Sequence, residues 1–405
     1  EALKAKEDQF FKSINGLVEL AGMYGFSGNI WHTYLTFLLV NHENAFSMAS
    51  EIRGAIKGSI NDLAKNDFQI FKELYDFDIT VFDRVFGTVC CKVICDYQTP
   101  DENSKLFNTR IRDRICQMSK TLAAAATTEE FMDDMVSFYK DFGVGKLGLH
   151  KAFRIDHDQN GRAVIVPVTR IAHVQLEDLV GYEIPKQKLV ENTEAFVRGR
   201  KANNCLLFGD AGTGKSSSIK GILNKYYDEG LRIIEVYKHQ FVDLNQIIAQ
   251  IKDRNYKFII YMDDLSFEEF EIEYKYLKAV IEGGLERKPE NILIYATSNR
   301  RHLVRERAGD KLEVGADDDI HSSDTVQEKL SLVYRFGVRI YFGAPDRKEF
   351  HTIVKTLAQR NGITMPEDEL LLEAGKWEIS HGGLTGRTAQ QFIDHLLGKE
   401  ETQEA

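Results

Sequence analysis

Apolar residues recur at helical spacing through the first third of the chain. No proline occurs before Pro100, so no helix in this region is interrupted by a residue that lacks a backbone N–H donor. Thr127 and Glu130 resemble a capping box at the start of one helix, and Gly143 can end it. Four apolar side chains would share one face of that helix: Phe131, Met135, Phe138 and Phe142. The pattern predicts a mostly α-helical domain over residues 1–148, which we expect to recognise a partner.

From about Asn204 the pattern changes, because short apolar runs now alternate with segments of helical periodicity. Near-continuous apolar strands are typical of a parallel sheet that is covered on both faces. The predicted strands are Cys205 to Phe208, Arg232 to Tyr237, Phe258 to Met262, Ile292 to Ser298 and Val338 to Gly343. We therefore expect an α/β core over residues 176–343, followed by a C-terminal helical lid over residues 344–405.

Residues 149–175 predict a β-hairpin or linker between these domains, because two short apolar runs flank an Asn160-Gly161 turn. Acidic and amide side chains at this turn also match the first half of a calcium-binding loop. Pro167, however, stands where such a loop needs a bidentate glutamate. We interpret the segment as a plain hairpin.

Composition sets limits on location and partner. The formal net charge of -10 on 405 residues argues against a general nucleic-acid coat and favours a protein over a nucleic acid as a macromolecular partner. Five cysteines, an odd number, fit a reducing compartment better than a disulfide framework. No apolar run reaches the length that a bilayer-spanning helix requires. We therefore expect a cytoplasmic protein.

A glycine-rich loop carries the strongest chemical signal. The segment Gly209 to Ser216 matches G-x-x-x-x-G-K-[ST], the Walker A motif, and it lies between an apolar strand and a helix. Backbone N–H groups of such a loop point at an anion, and the helix N-terminus adds a favourable dipole. Lys215 would contact the β- and γ-phosphates, and Ser216 would ligate magnesium. The predicted nucleotide-binding residues of the loop are Gly209, Asp210, Ala211, Gly212, Thr213, Gly214, Lys215, Ser216 and Ser217.

Two acids follow the third predicted core strand. Asp263 and Asp264 stand directly after the apolar run Phe258 to Met262. They therefore lie at the carboxyl end of a predicted strand, and parallel α/β sheets bind ligands at the carboxyl ends of their strands. We expect Asp263 to hold magnesium, mainly through water, and Asp264 to orient or deprotonate the attacking water. Two acids that merely end a buried strand are the plain structural alternative.

From Leu176 onward the chain resembles the AAA+ ATPases. Four segments occur in the order found in that superfamily: "LEDLVGYEIPKQKLVENTEAFVRG", "ILIYATSN", "VYRFGVRIYF" and "HGGLTGRTAQQFIDHL". The chain is most similar to a group of stand-alone AAA+ ATPases whose role is not established. The resemblance implies ATP and Mg²⁺ as cofactors and a ring-shaped homo-oligomer, with six subunits as the expected number.

The resemblance also implies roles for residues outside the loop. Val180 and Gly181 would approach the adenine, and Asn299, at the sensor-1 position, would contact the γ-phosphate or the attacking water. Arg335 would act as an arginine finger on a neighbouring subunit's nucleotide, with three arginines competing for that role: Arg300, Arg301 and Arg305. Arg387, on the sensor-2 helix, would face the γ-phosphate.

Two residues depart from the superfamily's pattern. Asp264 stands where most members have glutamate, and the shorter side chain would slow hydrolysis. Phe241 lacks the adjacent glycine that is typical of pore loops in protein-threading members, which makes a threading unfoldase less favoured.

Three functions fit these residues. The first is a magnesium-dependent ATPase that couples hydrolysis to remodelling or loading a macromolecular partner. The second is a nucleotide-gated binding switch with slow turnover, which the shorter Asp264 favours. The third is a P-loop small-molecule kinase, which would not account for the helix that carries Arg387.

Overall fold

The computed structural model describes residues 2–55, 57–99, 109–169, 171–266, 273–282, 289–299 and 332–403. The three competing arginines, Arg300, Arg301 and Arg305, lie outside the described residues. The chain divides into two compact units, Glu1–His150 and Lys151–Ala405.

The described residues of the first unit form helices and their connections, with one isolated β-bridge between Gly28 and Tyr97. Its helices are α1 (Ala2–Tyr24), α2 (Ile30–Asn41), α3 (Ala45–Arg53), α4 (Ser59–Asp76), α5 (Val81–Phe86), α6 (Cys90–Cys95), α7 (Thr109–Ala124), α8 (Thr128–Phe142) and α9 (Gly145–Leu149). Helices α2, α3, α4, α7 and α8 surround one apolar core, to which aromatic side chains such as Phe68 and Phe131 contribute.

Helix α8 shows how the local sequence sets these elements. Thr127 accepts a hydrogen bond from the backbone N–H of Glu130, and Gly143 ends the helix with φ 77°. The carboxylate of Glu130 accepts from the N–H of Ala126, one residue before the position that a capping box would use. Phe142, the last member of the predicted apolar face, is 36% exposed, whereas Phe131, Met135 and Phe138 are buried.

The second unit is built on one seven-stranded sheet. Its strands are β1 (Ala152–His157), β2 (Ala163–Pro167), β3 (Cys205–Gly209), β4 (Leu231–Glu235), β5 (Lys257–Met262), β6 (Ile292–Ser298) and β7 (Val338–Phe342), in the order β2-β1-β4-β5-β6-β3-β7. All neighbouring pairs are parallel except β1 with β2. Its helices are α10 (Glu183–Val197), α11 (Lys215–Tyr226), α12 (Leu244–Ile251), α13 (Glu273–Glu282), α14 (Arg347–Arg360), α15 (Glu367–His381) and α16 (Gly386–Gln403).

The hairpin β1–β2 belongs to this sheet, whereas the sequence pattern placed it in a separate hairpin or linker segment. Strand β1 pairs with β4 in parallel, and the alternate side chains of Phe153 and Ile155 are buried. This burial of one face accounts for the pairing, since a strand with one apolar face is stabilised by joining a sheet. At the turn, Asp158 accepts backbone hydrogen bonds from Asn160 and Arg162.

The sheet directs three loops to one edge. Strands β3, β5 and β6 are parallel neighbours or next neighbours, so their carboxyl ends lie side by side. The glycine-rich loop follows β3, the two acids follow β5, and Asn299 follows β6.

Helices α14, α15 and α16 form a second apolar cluster, which includes Phe350 and Phe392. Among the described residues, no helix is both long and apolar enough to cross a membrane.

Candidate functional site

The loop after β3 needs glycine at specific positions. Gly209 has φ 131°, and a Cβ atom there would lie 2.2 Å from the carbonyl oxygen of Phe342 on the neighbouring strand. Gly214 has φ 88°, and a Cβ atom there would meet the side chain of Leu179 at 2.3 Å. The loop can therefore curl tightly between β7 and the segment before α10, and it delivers the N-terminus of α11 to the site at Lys215.

Lys215 lies inside this loop and is only 6% exposed. Its Nζ donates hydrogen bonds to the carbonyl oxygens of Gly209 at 3.1 Å and Asp210 at 2.6 Å. Burial lowers the pKa of the ammonium group, although nearby carboxylates, Asp210 first, act in the opposite direction. Phosphate oxygens would offer this cation a charged acceptor in place of two neutral carbonyl groups.

Asp263 is held by three hydroxyl groups. Ser216 Oγ, Tyr261 Oη and Thr297 Oγ1 donate to the same carboxylate oxygen, Oδ1, at 2.8, 2.7 and 2.6 Å. Burial raises the pKa of Asp263, but the hydrogen bonds from Thr297, Tyr261 and Ser216 outweigh it and leave the pKa below its usual value. The group is thus kept as a carboxylate beside the hydroxyl of the glycine-rich loop.

Asp264 is positioned by its backbone and by the next strand. It has φ 49°, a left-handed conformation that few residues other than glycine, asparagine and aspartate adopt. Its N–H donates to Thr297 Oγ1 at 2.9 Å, and its Oδ1 accepts from Asn299 Nδ2 at 2.9 Å. The two acids therefore face different partners, although they are adjacent in sequence.

A cavity of about 640 Å³ joins these groups, a volume that suits a cofactor-sized ligand. The loop and the acids form one wall, and helices α14 and α16 form the opposite wall. Arg387 lies on the α16 side, and its backbone N–H donates to the carbonyl of Gly212 at 3.2 Å. The predicted site residues that line the cavity are Val180, Ala211, Gly212, Thr213, Gly214, Lys215, Ser216, Ser217, Asp263, Asp264, Asn299 and Arg387.

Apolar side chains also line the cavity, beside helices α14 to α16. Val180 packs against the cluster of helices α14 to α16. Arg360 of α14 donates to the carbonyl oxygens of Glu177 at 2.8 Å and Asp178 at 2.9 Å, the two residues that precede the Leu179-Val180 wall. The backbone beside Leu179 and Val180 is thus attached to helix α14.

Four predicted residues have other surroundings. Gly209, Asp210 and Gly181 are not among the lining residues, and the carbonyl groups of Gly209 and Asp210 accept hydrogen bonds from Lys215. Arg335 is also absent from the lining, and its guanidinium pairs with Glu282 Oε1 at 2.9 Å.

Sequence reasoning missed Tyr261 and Thr297, the two strand residues that hold Asp263. Both looked like ordinary members of apolar strands. The sequence does contain one indication of their role. Alternate residues of a strand point to the same face of the sheet, and Tyr261 precedes Asp263 by two residues as Thr297 precedes Asn299. Each side chain therefore shares a face with a predicted site residue. Six other residues that line the cavity were also not predicted from the sequence: Asp178, Leu179, Tyr182, Ile353, Leu357 and Gln390.

The residues present fit a magnesium nucleotide. Magnesium prefers oxygen ligands and keeps several waters, and the Ser216 hydroxyl and the Asp263 carboxylate lie 2.8 Å apart at the start of α11.

Phe241 is only 2% exposed, so its ring is part of the core and offers no aromatic surface to a threaded chain.

The strand order, with β3 between β6 and β7, and the glycine-rich loop beside a carboxylate from β5 define an α/β fold of the P-loop kind. The fold class predicted from the sequence is confirmed. The profile of the family described as "Protein of unknown function (DUF815)" matches residues 148–400. The chain belongs to this family.

Solved structures with a similar course of the chain include mutant forms of Thermotoga maritima RuvB. One is 17% identical over 57% of this chain and 68% of that chain, with a TM-score of 0.41. A second is 17% identical over 57% of this chain and 66% of that chain, also with a TM-score of 0.41. A search of curated protein sequences found no match.

Proposed function

We propose that the protein is a magnesium-dependent ATPase that uses ATP to remodel or load a macromolecular partner. The observation that carries this proposal is the convergence of Lys215, Ser216 and Asp263 at one end of a cavity whose other end is apolar. A phosphate chain needs cations and N–H donors, and a base needs an apolar wall, so the two ends suit the two parts of a nucleotide.

The chain's own residues divide the work of hydrolysis. Lys215 would leave its carbonyl partners to neutralise the β- and γ-phosphates, and the loop N–H groups would hold their oxygens. Magnesium in this site would supply positive charge against the negative charge that develops on the phosphate oxygens. Ser216 and Asp263 would hold that ion. Asp264 would accept a proton from the attacking water or orient it, and Asn299 would fix the carboxylate of Asp264.

Two arginines would supply charge to the transition state. Arg387 lines the cavity from α16, so it would contact the γ-phosphate within the same chain. Arg335 pairs with Glu282 outside the cavity and would act on the nucleotide of a neighbouring copy in a ring. Guanidinium groups in such positions contribute about 10³- to 10⁵-fold to phosphoryl-transfer rates.

Coupling would run through the lid. Helix α14 is attached to the base end of the cavity by Arg360, and α16 carries Arg387 to the phosphate end. A nucleotide that contacts both ends would change the position of the helices as it is bound and hydrolysed. The first unit, residues 1–148, would bind the partner. Residues 176–343, with the hairpin of residues 149–175 in their sheet, would form the ATPase core, and residues 344–405 would form the lid.

A slow nucleotide-gated switch is the second candidate, and one observation favours it. Asp264 Oδ1 already accepts a hydrogen bond from Asn299, and the short side chain sits on a left-handed backbone. A carboxylate so constrained would reach the attacking water less readily than a longer one. ATP binding would then change conformation while turnover stayed low.

Phosphate release in the presence of Mg²⁺ and ATP tests the proposal, with nucleotide binding measured in parallel. Lys215→Ala should abolish both, whereas Lys220→Ala, an exposed lysine on the same helix, should change neither by more than about twofold. Binding with negligible phosphate release would favour the switch. Absence of binding in the unmodified chain would refute both candidates.

A further inference from the structure

The two oxygens of the Asp263 carboxylate differ in their hydrogen-bond partners. All three of its side-chain donors, Ser216, Tyr261 and Thr297, bind Oδ1 at 2.6 to 2.8 Å. None of these three side chains binds Oδ2, and the backbone N–H of Asp264 also acts on the carboxylate. The three side chains thus hold Oδ1, and Oδ2 is the oxygen that can bind a ligand.

The hydroxyl of Ser216 has only one hydrogen, which it donates to Asp263. Its lone pairs are therefore available to a cation, as a magnesium ligand requires. Tyr261 and Thr297 differ from Ser216, because they are rooted in strands β5 and β6 and are 5% and 2% exposed. Their positions are set by the sheet and do not depend on the glycine-rich loop.

Thr297 has a second bond that fixes the direction of its hydroxyl group. Its Oγ1 accepts the backbone N–H of Asp264 at 2.9 Å while it donates to Asp263 at 2.6 Å. Tyr261 Oη donates to the same Oδ1 at 2.7 Å and is not among the residues that line the cavity. Both strand residues therefore hold the carboxylate of Asp263 by a hydrogen bond. Tyr261 does not line the cavity, so it would not contact a bound nucleotide.

We propose that Tyr261 and Thr297 are positioning residues that set the magnesium affinity of the site by fixing Asp263 with Oδ2 directed at the ion's water shell. The inference rests on the proposed function of the cavity. Residues that hydrogen-bond to a metal-binding carboxylate orient it, and their loss commonly weakens metal binding by about 10- to 100-fold.

The neighbouring strand supplies a matched control. Tyr295 is the register partner of Tyr261 across β5 and β6, and it is also buried. Its hydroxyl is hydrogen-bonded to Asn192 at 2.9 Å and Thr193 at 3.0 Å, away from the cavity. Tyr261→Phe and Tyr295→Phe therefore remove the same buried group from paired positions, and only the first affects Asp263.

The test is a Mg²⁺ titration of the binding of a fluorescent ATP analogue to the full chain, followed by anisotropy, with a parallel titration in EDTA. Tyr261→Phe should raise the Mg²⁺ concentration at half-maximal binding by about tenfold. Affinity in EDTA should stay within about twofold of the unmodified chain, because the phosphate-binding loop is unchanged. Tyr295→Phe should leave both quantities unchanged.

A second pair of variants guards against loss of folding. Thr297→Val removes the hydroxyl and should raise the Mg²⁺ requirement, whereas Thr297→Ser keeps it and should bind Mg²⁺ nearly as the unmodified chain does. Equal Mg²⁺ requirements for Tyr261→Phe, Tyr295→Phe and the unmodified chain would overturn the inference while leaving the ATPase proposal intact. If the unmodified chain bound no nucleotide, the proposed function would fail, and this inference with it.

Discussion

Asp264 is the residue on which turnover should depend most directly. Its backbone is left-handed, with φ 49°, and asparagine is one of the few residues that adopts this conformation readily. Asp264→Asn should therefore preserve the local fold and the affinity for Mg²⁺-ATP while lowering kcat by about 100-fold or more, because the proton acceptor is lost.

Phosphate release and analogue binding, measured side by side, check this prediction. An unchanged kcat for Asp264→Asn would mean that another group, or solvent, accepts the proton. A loss of binding affinity equal to the loss of kcat would show that the residue acts in nucleotide binding, and its assignment as the base would then be wrong.

At the residue scale, motifs predicted the groups whose spacing is fixed by chemistry. Gly209 to Ser216 and Asp263 could be predicted as site residues because a phosphate and a magnesium ion require those residue types in that order. Tyr261 and Thr297 could not, since a tyrosine or threonine in a strand is as typical of the core as of a site. Their role depends on which strands are neighbours, and the sequence pattern does not supply the strand order.

At the element scale, the loop after β3 depends on the neighbouring strand. Gly209→Ala places a methyl group 2.2 Å from the backbone oxygen of Phe342, which cannot rotate away. Gly230→Ala is the matched control, because Gly230 also has a positive φ, 93°, but has no atom within 4 Å of the added group. Conformational strain alone costs roughly 1–2 kcal/mol at such a position.

Thermal unfolding distinguishes the two variants. Gly230→Ala should lower Tm by several degrees, at about 2–4 °C per kcal/mol for a unit of this size, and Gly209→Ala should lower it further. Equal shifts in Tm would mean that β7 does not constrain the loop in solution.

A second prediction at this scale concerns the lid. Arg360 joins α14 to the carbonyl groups of Glu177 and Asp178, next to the part of the cavity proposed to bind the base. Hydrogen bonds from charged donors are worth about 1.5–3 kcal/mol, so Arg360→Ala should weaken ATP binding by roughly tenfold. Lys348→Ala, an exposed change on the same helix, should have no effect on the dissociation constant measured by calorimetry. Equal affinities for the two variants would show that α14 is not coupled to the nucleotide.

Element types were readable from the sequence, and their connections were less so. The five predicted core strands lie within one residue of the observed bounds at most ends, because apolar runs between turn residues mark buried parallel strands. The hairpin β1–β2 looked separable, since its strands are short and its turn is polar. Its place beside β4 follows from tertiary burial of Phe153 and Ile155, which local patterns do not express.

At the scale of the whole molecule, the account predicts a site that is complete only in an assembly. Arg335 is 46% exposed as a side chain and pairs with Glu282 away from its own cavity. If it serves a neighbouring copy, specific ATPase activity should rise with protein concentration, and Arg335→Ala should lower the plateau by about 10³-fold or more.

Arg339→Ala provides a control for this prediction, because Arg339 is a nearby exposed arginine on β7. It should retain the concentration dependence. Specific activity that is independent of concentration, and equal in the Arg335→Ala variant, would contradict a shared site and leave a monomeric ATPase.

The measurement that tests the central claim most directly is a calorimetric titration of the full chain with ATP, with and without Mg²⁺. We expect one ATP per chain, tighter binding with Mg²⁺ than in EDTA, and no binding by Lys215→Ala. Because this result does not depend on the rate of hydrolysis or on assembly, it isolates the nucleotide site itself. Binding that is absent from the unmodified chain, or that persists unchanged in Lys215→Ala, would contradict the account.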